Sequence, residues 1–479
     1  MRRILPVLLL AALALWTGCG EDRGMVPGDA VVTPGETRTR PDPEALAGEI
    51  AGLSGWQAEE GAMKMALPGC VTLDEKTPLA GGVVHYTYTL RFGPGEYDLI
   101  GLHRVVKEER AGKPVRTRKN VFLLHGDGEA FEAMFLPGAN VPSLADDYGI
   151  AVYLARNDVD VWGIDQSWAL VPQGVTDFTF MADWDLQHEV DNLAMGIAVA
   201  RAARVLTACG TGRMLLLAYS SGAITGYACL NQETQYPELM RNICGFIPVD
   251  MPFKTDDPVV EGTLAAFAAN FQGMIDGGIY KYDSLFGPVG MLAQMDPDGA
   301  SPLVPGYTNI QVAVFLGAAT HVFTPLNPHF HYLAGDFDED GNLQGFGFVQ
   351  TGAWFEFLQN SAPYEALPFM AEYAAIIGDA ADLPYDDHLA EITVPVFYVG
   401  AAGGMGTYGE YTLTLLGSTD VSSLVVRLLP AGYEAADYGH IDLFLANNAE
   451  ALVWSPMLGW IETHTDLPGK SEKRMAKGD

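Results

Sequence analysis

An apolar run that halts on two serines is where this chain first suggests chemistry: "MLLLAYSSGAITGY", residues 214–227. Ser220 has Ala218 two residues before it and Gly222 two after, whereas Ser221 has the bulky Tyr219 two before it. A strand-to-helix turn that presents one side chain strains its backbone and crowds those neighbours, so they must be small. Ser220 is therefore the candidate nucleophile. Ser221 suits another role, its backbone N–H pointing into the same pocket as half of an oxyanion hole. A nucleophilic serine needs a base, and "YEAADYGHIDLF" supplies His440 late in the chain, ahead of a helical segment. Its imidazole would take the Ser220 proton and later hand it to the leaving group. Asp442, two residues on, is expected to start that helix or to orient the loop. The second oxyanion donor is expected from "FLLHGDGEAF", where a sharp turn at His125 and Gly126 lets Asp127 or Gly128 aim an N–H inward. His125 itself reads as a structural hydrogen-bonder.

Such groups need a frame. "GGVVHYTYTLRF" and "YDLIGLHRVVKEE" alternate as one-face strands do, and predict an antiparallel pair. Four continuous apolar runs follow: "NVFLLHG" (120–126), "DVDVWGID" (158–165), "MLLLAYS" (214–220) and "GFIPVD" (245–250). Continuity rather than alternation predicts strands covered on both faces. Residues 181–208 carry helical spacing. "VPVFYVG" (394–400), "SSLVVRLLP" (422–430) and a last helix over "LVWSPMLGWIETH" close the pattern. Alternating strands and helices imply an α/β fold with a mostly parallel sheet. Residues 251–390, about 140 in number, far exceed an ordinary connection. They read as a cap inserted between core parts at 61–250 and 391–466.

The 479 residues are 49 % apolar and 18 % charged, with a formal net charge of −33. Phosphate binding needs a basic face, so a nucleic-acid partner is excluded on charge. The first residues, "MRRILPVLLLAALALWTGCGED", place two arginines before an apolar stretch and small residues, the pattern of an export signal over 1–18. Thr17-Gly18-Cys19 resembles a bacterial lipoprotein box, which would make a diacylated Cys19 the only membrane contact. Residues 19–60 read as a tether, and 467–479 as a charged tail. Cys70, Cys209, Cys229 and Cys244 permit two disulfides or buried free thiols. No Cys/His cluster points to zinc, and no cofactor is expected. Asp336, Asp338 and Asp340 form the front half of a calcium loop, but Gly347 stands where the bidentate glutamate belongs, so an acidic hairpin turn is the better reading. His329 and His331 read as pocket residues rather than ligands.

Taken in order, these segments resemble the α/β-hydrolase superfamily, and within it the acid lipase branch of gastric and lysosomal lipases. "YDLIGLHRV" resembles that family's first core strand and "VFLLHGDG" its oxyanion loop. "LARNDVDVWGIDQSW" resembles the strand before the lid-side loop, "MADWDLQHEVDNLAMGI" the helix before the elbow, and "DYGHIDLFLANNA" the histidine loop. The resemblance covers about 97–227 and 392–450. It implies hydrolysis of carboxylic esters without metal or organic cofactor, with Ser220 as nucleophile, His440 as base, and Ser221 and Asp127 with Gly126 in the oxyanion loop. The chain departs from the family at Ala218 and Tyr219, and at the acid. The family's acid follows the strand "VPVFYVG", where this chain reads "AAGGMGTYGE". Asp250, ending the preceding strand, is the favoured substitute, with Glu410 and Asp437 as alternatives. The resulting expectation is an exported serine ester hydrolase acting on a small ester or lipid. A binding protein that lost the acid, or a hydrolase of amides or thioesters, are the rival readings.

Overall fold

The computed structural model describes residues 71–322 and 329–465. The export signal, Cys19, the tether, Cys70 and the charged tail lie outside the described residues.

Strands β1 (Val71–Pro78), β2 (Val83–Arg91) and β3 (Leu99–Arg110) form an antiparallel meander, with the short β4 (Lys113–Pro114) hanging on β3. Its middle and last members are the pair expected from alternation; β1 adds a strand the sequence did not announce. The parallel part follows: β5 (Asn120–Leu124), β6 (Asp160–Asp165), β7 (Met214–Tyr219) and β8 (Ile243–Val249). The next four strands are short and stand outside the main sheet. They are β9 (Lys281–Asp283), β10 (Gly335–Phe337), β11 (Leu343–Phe346) and β12 (Tyr364–Ala366), paired as β9 with β12 and β10 with β11. The chain then returns with β13 (Val396–Ala401) and β14 (Val421–Val426). The main sheet runs β1-β2-β3-β6-β5-β7-β8-β13-β14, and the six strands from β6 to β14 are mutually parallel.

The central strands β5, β6, β7, β8 and β13 are buried on both faces, which is why they read as unbroken apolar runs. Alternate residues serve opposite cores. Phe122, Leu124, Leu216 and Ala218 face one, and Val121, Leu123, Leu215, Leu217 and Tyr219 face the other. The predicted helix at 181–208 is a short turn followed by helix α1 (Leu186–Leu206). Asp185 sets the boundary, its carboxylate accepting the His188 N–H at 2.9 Å as an N-cap. Helix α2 (Ser221–Glu233) leaves β7 directly. The last helix occupies Ser455–His464, entered through one wide turn at Glu450–Trp454.

The long segment between β8 and β13 carries helices Pro258–Asp276, Phe286–Met295, Asn309–Ala318, Thr351–Gln359 and Leu367–Ile377. Its buried side chains divide between the two cores of the sheet. The Asp338 carboxylate lies in the β10–β11 hairpin and accepts the N–H groups of Asp340 and Asn342, as an acidic turn does. Cys209 and Cys229 are buried free thiols, which rules out two disulfides among the four cysteines.

At the amino end of the parallel strands sits a buried ion cluster. Asp160 takes a bidentate contact from Arg104, Nε at 2.9 Å and a terminal nitrogen at 3.0 Å, and a second partner in Arg204 at 2.5 Å. All three are at most 4 % exposed. Burial opposes the charge on Asp160, but the two guanidinium groups outweigh it and hold the carboxyl below its ordinary range. Removing the carboxylate would strand two buried cations. Asp160→Ala is therefore expected to destabilise the fold by about 3–5 kcal/mol, read as a lower midpoint in urea with an unchanged slope.

Candidate active site

In a parallel sheet every strand ends on the same edge, and the groups that emerge there can converge. Ser220 leaves β7, Asp250 leaves β8, and the loop after β14 brings in His440. Ser220 has φ 54° and ψ −133°, and Asp250 has φ 50°. Both are left-handed positions that L-residues occupy only under constraint. One constraint is mutual, since the Ser220 N–H donates to Val249 O at 2.9 Å, which ties the β7 exit to the residue before Asp250. Another is close approach: a Cβ on Gly222 would lie 2.3 Å from the His125 carbonyl oxygen, so only glycine fits two residues after Ser220.

His440, 3 % exposed, bridges the two side chains. Its Nδ1 lies 2.7 Å from Asp250 Oδ2 and its Nε2 lies 2.9 Å from Ser220 Oγ. A carboxylate only accepts, so Nδ1 carries the hydrogen and Nε2 is left to receive the serine proton. The ring is held from both sides. Tyr219 stacks at 4.6 Å and Phe330 stands 5.3 Å away, while the backbone N–H of His440 donates to the His331 carbonyl at 2.9 Å. The structure thus brings Ser220, His440 and Asp250 together.

The other two acids are engaged elsewhere. Glu410 accepts from the Ser423 hydroxyl at 2.7 Å. Asp437 accepts the N–H groups of Leu428, Leu429 and Tyr438. The glycine-rich loop after β13 has a different task from supplying an acid: it wraps Asp250. The amides of Ala401 (2.8 Å), Gly406 (2.9 Å) and Met405 (3.1 Å) all donate to the Asp250 carboxylate. A Cβ on Gly404 would fall 2.0 Å from Asp250 Oδ2, so glycine there makes room for the carboxylate.

On the oxyanion side, His125 is fully buried and structural, as expected. Its Nε2 accepts the Gln166 N–H at 3.0 Å, and its Nδ1 lies 2.9 Å from the Gly126 carbonyl. Ser221 opens α2, so its N–H is one the helix leaves without an intrahelical acceptor. Gly126 lies in the turn, with its own amide engaged. The turn sequence places it in the oxyanion loop, but its N–H donates to Glu129 Oε2 at 3.2 Å, because the chain folds back on itself there. Neither Glu129 nor two further neighbours were visible as site residues in the sequence. Tyr373 donates to Asp127 Oδ2 at 2.8 Å, and Glu365 closes on Gly128 from the segment between β8 and β13. No spacing signals them, since folding alone brings those residues to the loop. Burial pushes the carboxyls of Asp127, Glu129 and Glu365 upward, and repulsion from Asp127 adds to it for both glutamates. For Asp127 the Ser221 and Tyr373 hydroxyls and His440 pull the other way. His331 is no ligand: its ring nitrogens face the carbonyls of His329 and Asp437.

No family model matches the chain, and no curated protein matches it in sequence. Among solved structures, a candidate lipase from Sulfolobus solfataricus is similar over 82 % of this chain and 98 % of its own, at 19 % identity and a TM-score of 0.56. The chain has the α/β-hydrolase fold. A soluble variant of the Saccharomyces cerevisiae monoglyceride lipase matches 77 % of this chain and 92 % of its own, at 12 % identity and a TM-score of 0.42. The Paleococcus ferrophilus monoacylglycerol lipase matches 74 % and 97 %, at 11 % identity and a TM-score of 0.38. Within the α/β-hydrolase fold the β7–α2 corner is the place where a side chain is exposed at the top of the sheet.

Asp442 orients the histidine loop of this fold. Its Oδ2 accepts the N–H groups of Gly439 (2.8 Å) and Ala334 (2.7 Å), and it opens the short helix Asp442–Leu445. Burial pushes its carboxyl up to about 7, although those two amides favour the charged form. An unfolded aspartate loses its proton near 3.9. Between those values the folded state holds more protons than the unfolded one, so this group's contribution falls as pH rises from about 4 to about 7. Asp442→Asn keeps an acceptor for both amides and cannot ionise. It should flatten that part of the Tm–pH curve, measured by calorimetry against the parent chain.

Proposed function

We propose that this protein is an exported serine ester hydrolase, of the acid-lipase kind, acting on a carboxylic ester with a hydrophobic part. One observation carries the reading: a single imidazole lies within hydrogen-bond reach of Ser220 Oγ on one nitrogen and of a buried carboxylate on the other. In this reading Ser220 Oγ attacks the acyl carbon while its proton passes to His440 Nε2. Asp250 holds the ring in the right tautomer and stabilises the imidazolium. The Ser221 and Asp127 amides receive the oxyanion, aided by the positive end of α2. The tetrahedral adduct collapses, the alcohol leaves with the proton from Nε2, and the acyl chain stays on Ser220. Water, deprotonated by His440, repeats the sequence and releases the acid.

Phe330, Tyr332 and Phe286 support the hydrophobic part. Phe330 and Tyr332 flank His440 at 5.3 and 6.2 Å, and Phe286 packs edge-on against Tyr332. All three come from residues 251–390, read as a cap over the site. Export, with a lipid anchor at Cys19, rests on the N-terminal sequence alone.

A fluorophosphonate should label the parent chain and not Ser220→Ala. Asp250→Asn should lower kcat about 10⁴-fold, while Glu410→Gln leaves it unchanged. An unlabelled parent chain would favour a binding protein, and equal turnover of acetate and long-chain esters would remove the hydrophobic preference. In a producing bacterium, Cys19→Ser should abolish incorporation of labelled palmitate; persistent labelling would place the lipid elsewhere.

A further inference from the structure

Behind the oxyanion loop lies a second constellation that the hydrolytic reading does not use. His85 on β2 and His103 on β3 are 4 % and 2 % exposed. His85 pairs with Val105, and His103 lies two residues before Val105, so both imidazoles share one face of the meander. Helix α-type residues Phe131–Phe135 cover that face: Phe131 stacks on His103 at 4.3 Å, and the next residue, Glu132, places Oε1 3.6 Å from His85 Nδ1. His85 Nε2 and His103 Nδ1 stand 2.9 Å apart. One ligand atom from each of His85, His103 and Glu132 falls within 4.8 Å of the others.

From this geometry we infer that His85, His103 and Glu132 form a binding site for a divalent transition-metal ion, zinc by its donor set. Two imidazoles and one carboxylate are a donor set that holds zinc with one position left for water. The outer contacts fit as well. A metal-bound histidine characteristically gives its other ring N–H to a carboxylate. His103 does so: its Nε2 lies 2.9 Å from Asp165 Oδ2, and that carboxylate accepts, so Nε2 bears the hydrogen and Nδ1 offers a lone pair to the ion. Glu132 is steadied on its far oxygen by Asn140 Nδ2 at 2.9 Å. With His85 Nε2 as the ligating nitrogen, the ion takes the place of the hydrogen shared with His103 Nδ1, that hydrogen moves to His85 Nδ1, and the part-exposed Glu132 side chain turns from Nδ1 toward the ion to complete the set. No bond to carbon changes and no electron is transferred. Glu132 is about one-third exposed, which leaves the ion a path from solvent.

The location gives the site a consequence. Asp165 Oδ1 also accepts the Phe131 N–H at 2.7 Å, so ligands and outer contacts together fasten the residues after the oxyanion loop to the antiparallel strands. Zinc bound there stiffens the loop from behind while remaining outside the reaction. The sequence hid this site, since its ligands come from two neighbouring strands and a distant helical turn, with no ligand-type spacing.

The test is zinc titration of the chelator-treated full chain, followed by calorimetry and elemental analysis. One zinc per chain is expected, with a raised Tm, because a ligand that binds only the folded state stabilises it. Glu132→Gln, at a part-exposed position that should not endanger folding, is expected to weaken binding at least about tenfold, and His85→Gln likewise. Ser220→Ala should bind zinc as the parent does. Cobalt in place of zinc should give visible ligand-field absorption in the parent and lose it in Glu132→Gln. Failure of the parent to bind saturably, or binding unchanged by both Glu132→Gln and His85→Gln, would overturn the inference and leave the cluster a chain of buried hydrogen bonds. Because Ser220→Ala separates the two sites, loss of the zinc result would not bear on the hydrolytic reading.

Discussion

A single ring must satisfy a hydroxyl and a carboxylate at once, and much of the upper edge of the sheet is arranged around that demand. The two strands involved are neighbours, parallel and in register, with Tyr219 opposite Val249. Their next residues, Ser220 and Asp250, are both thrown into left-handed backbone. Such conformations cost on the order of 1–3 kcal/mol each, and they persist because the surroundings over-determine them: the Ser220 N–H on Val249, the Asp250 N–H on the Val399 carbonyl at 2.7 Å, and the carbonyl of His125 pressed against Gly222.

The placement of the carboxylate on β8 rather than after β13 has a structural counterpart. An anion fully withdrawn from water needs donors, and Asp250 is 0 % exposed. The last residue of β13 and the loop after it together provide three backbone amides, and Gly404 a missing side chain. A carboxylate growing from that loop would compete with Asp250 for the same space and bring a second negative charge beside it. The run of glycines is thus the complement of an acid on the neighbouring strand, and the two features belong together.

Reading the chain recovers what local chemistry dictates and loses what only folding assembles. The strands of the parallel sheet were legible because both their faces are apolar, and the serine corner because small residues at 218 and 222 are a local steric requirement. His440 was legible by its place after the last strand. Asp250 could be ranked first but not assigned, since nothing within its own segment distinguishes a carboxylate that meets a ring 190 residues away. The strand β1 was missed because its exposure alternates weakly and half of it faces solvent. The capture of the Gly126 amide by Glu129 was missed because a glutamate three residues on has no obligatory geometry. Glu365 and Tyr373 approach from the long segment whose fold could not be read at all.

Those late arrivals matter for the electrostatics of the corner. Under the proposed reading, a developing oxyanion at this corner would be repelled by charged carboxylates beside it. Burial works against that charge. Asp127, Glu129 and Glu365 are crowded into a space with few donors, one oxygen of Asp127 and one of Glu365 having no hydrogen-bond partner. In that setting lost hydration penalises the charged form of all three, and repulsion from neighbouring carboxylates adds to it for Glu129 and Glu365, whereas the partners of Asp127 pull against its burial. Neutral carboxyls are donors as well as acceptors. Folding thus gathers beside Ser220 three carboxyls that burial pushes toward the neutral form.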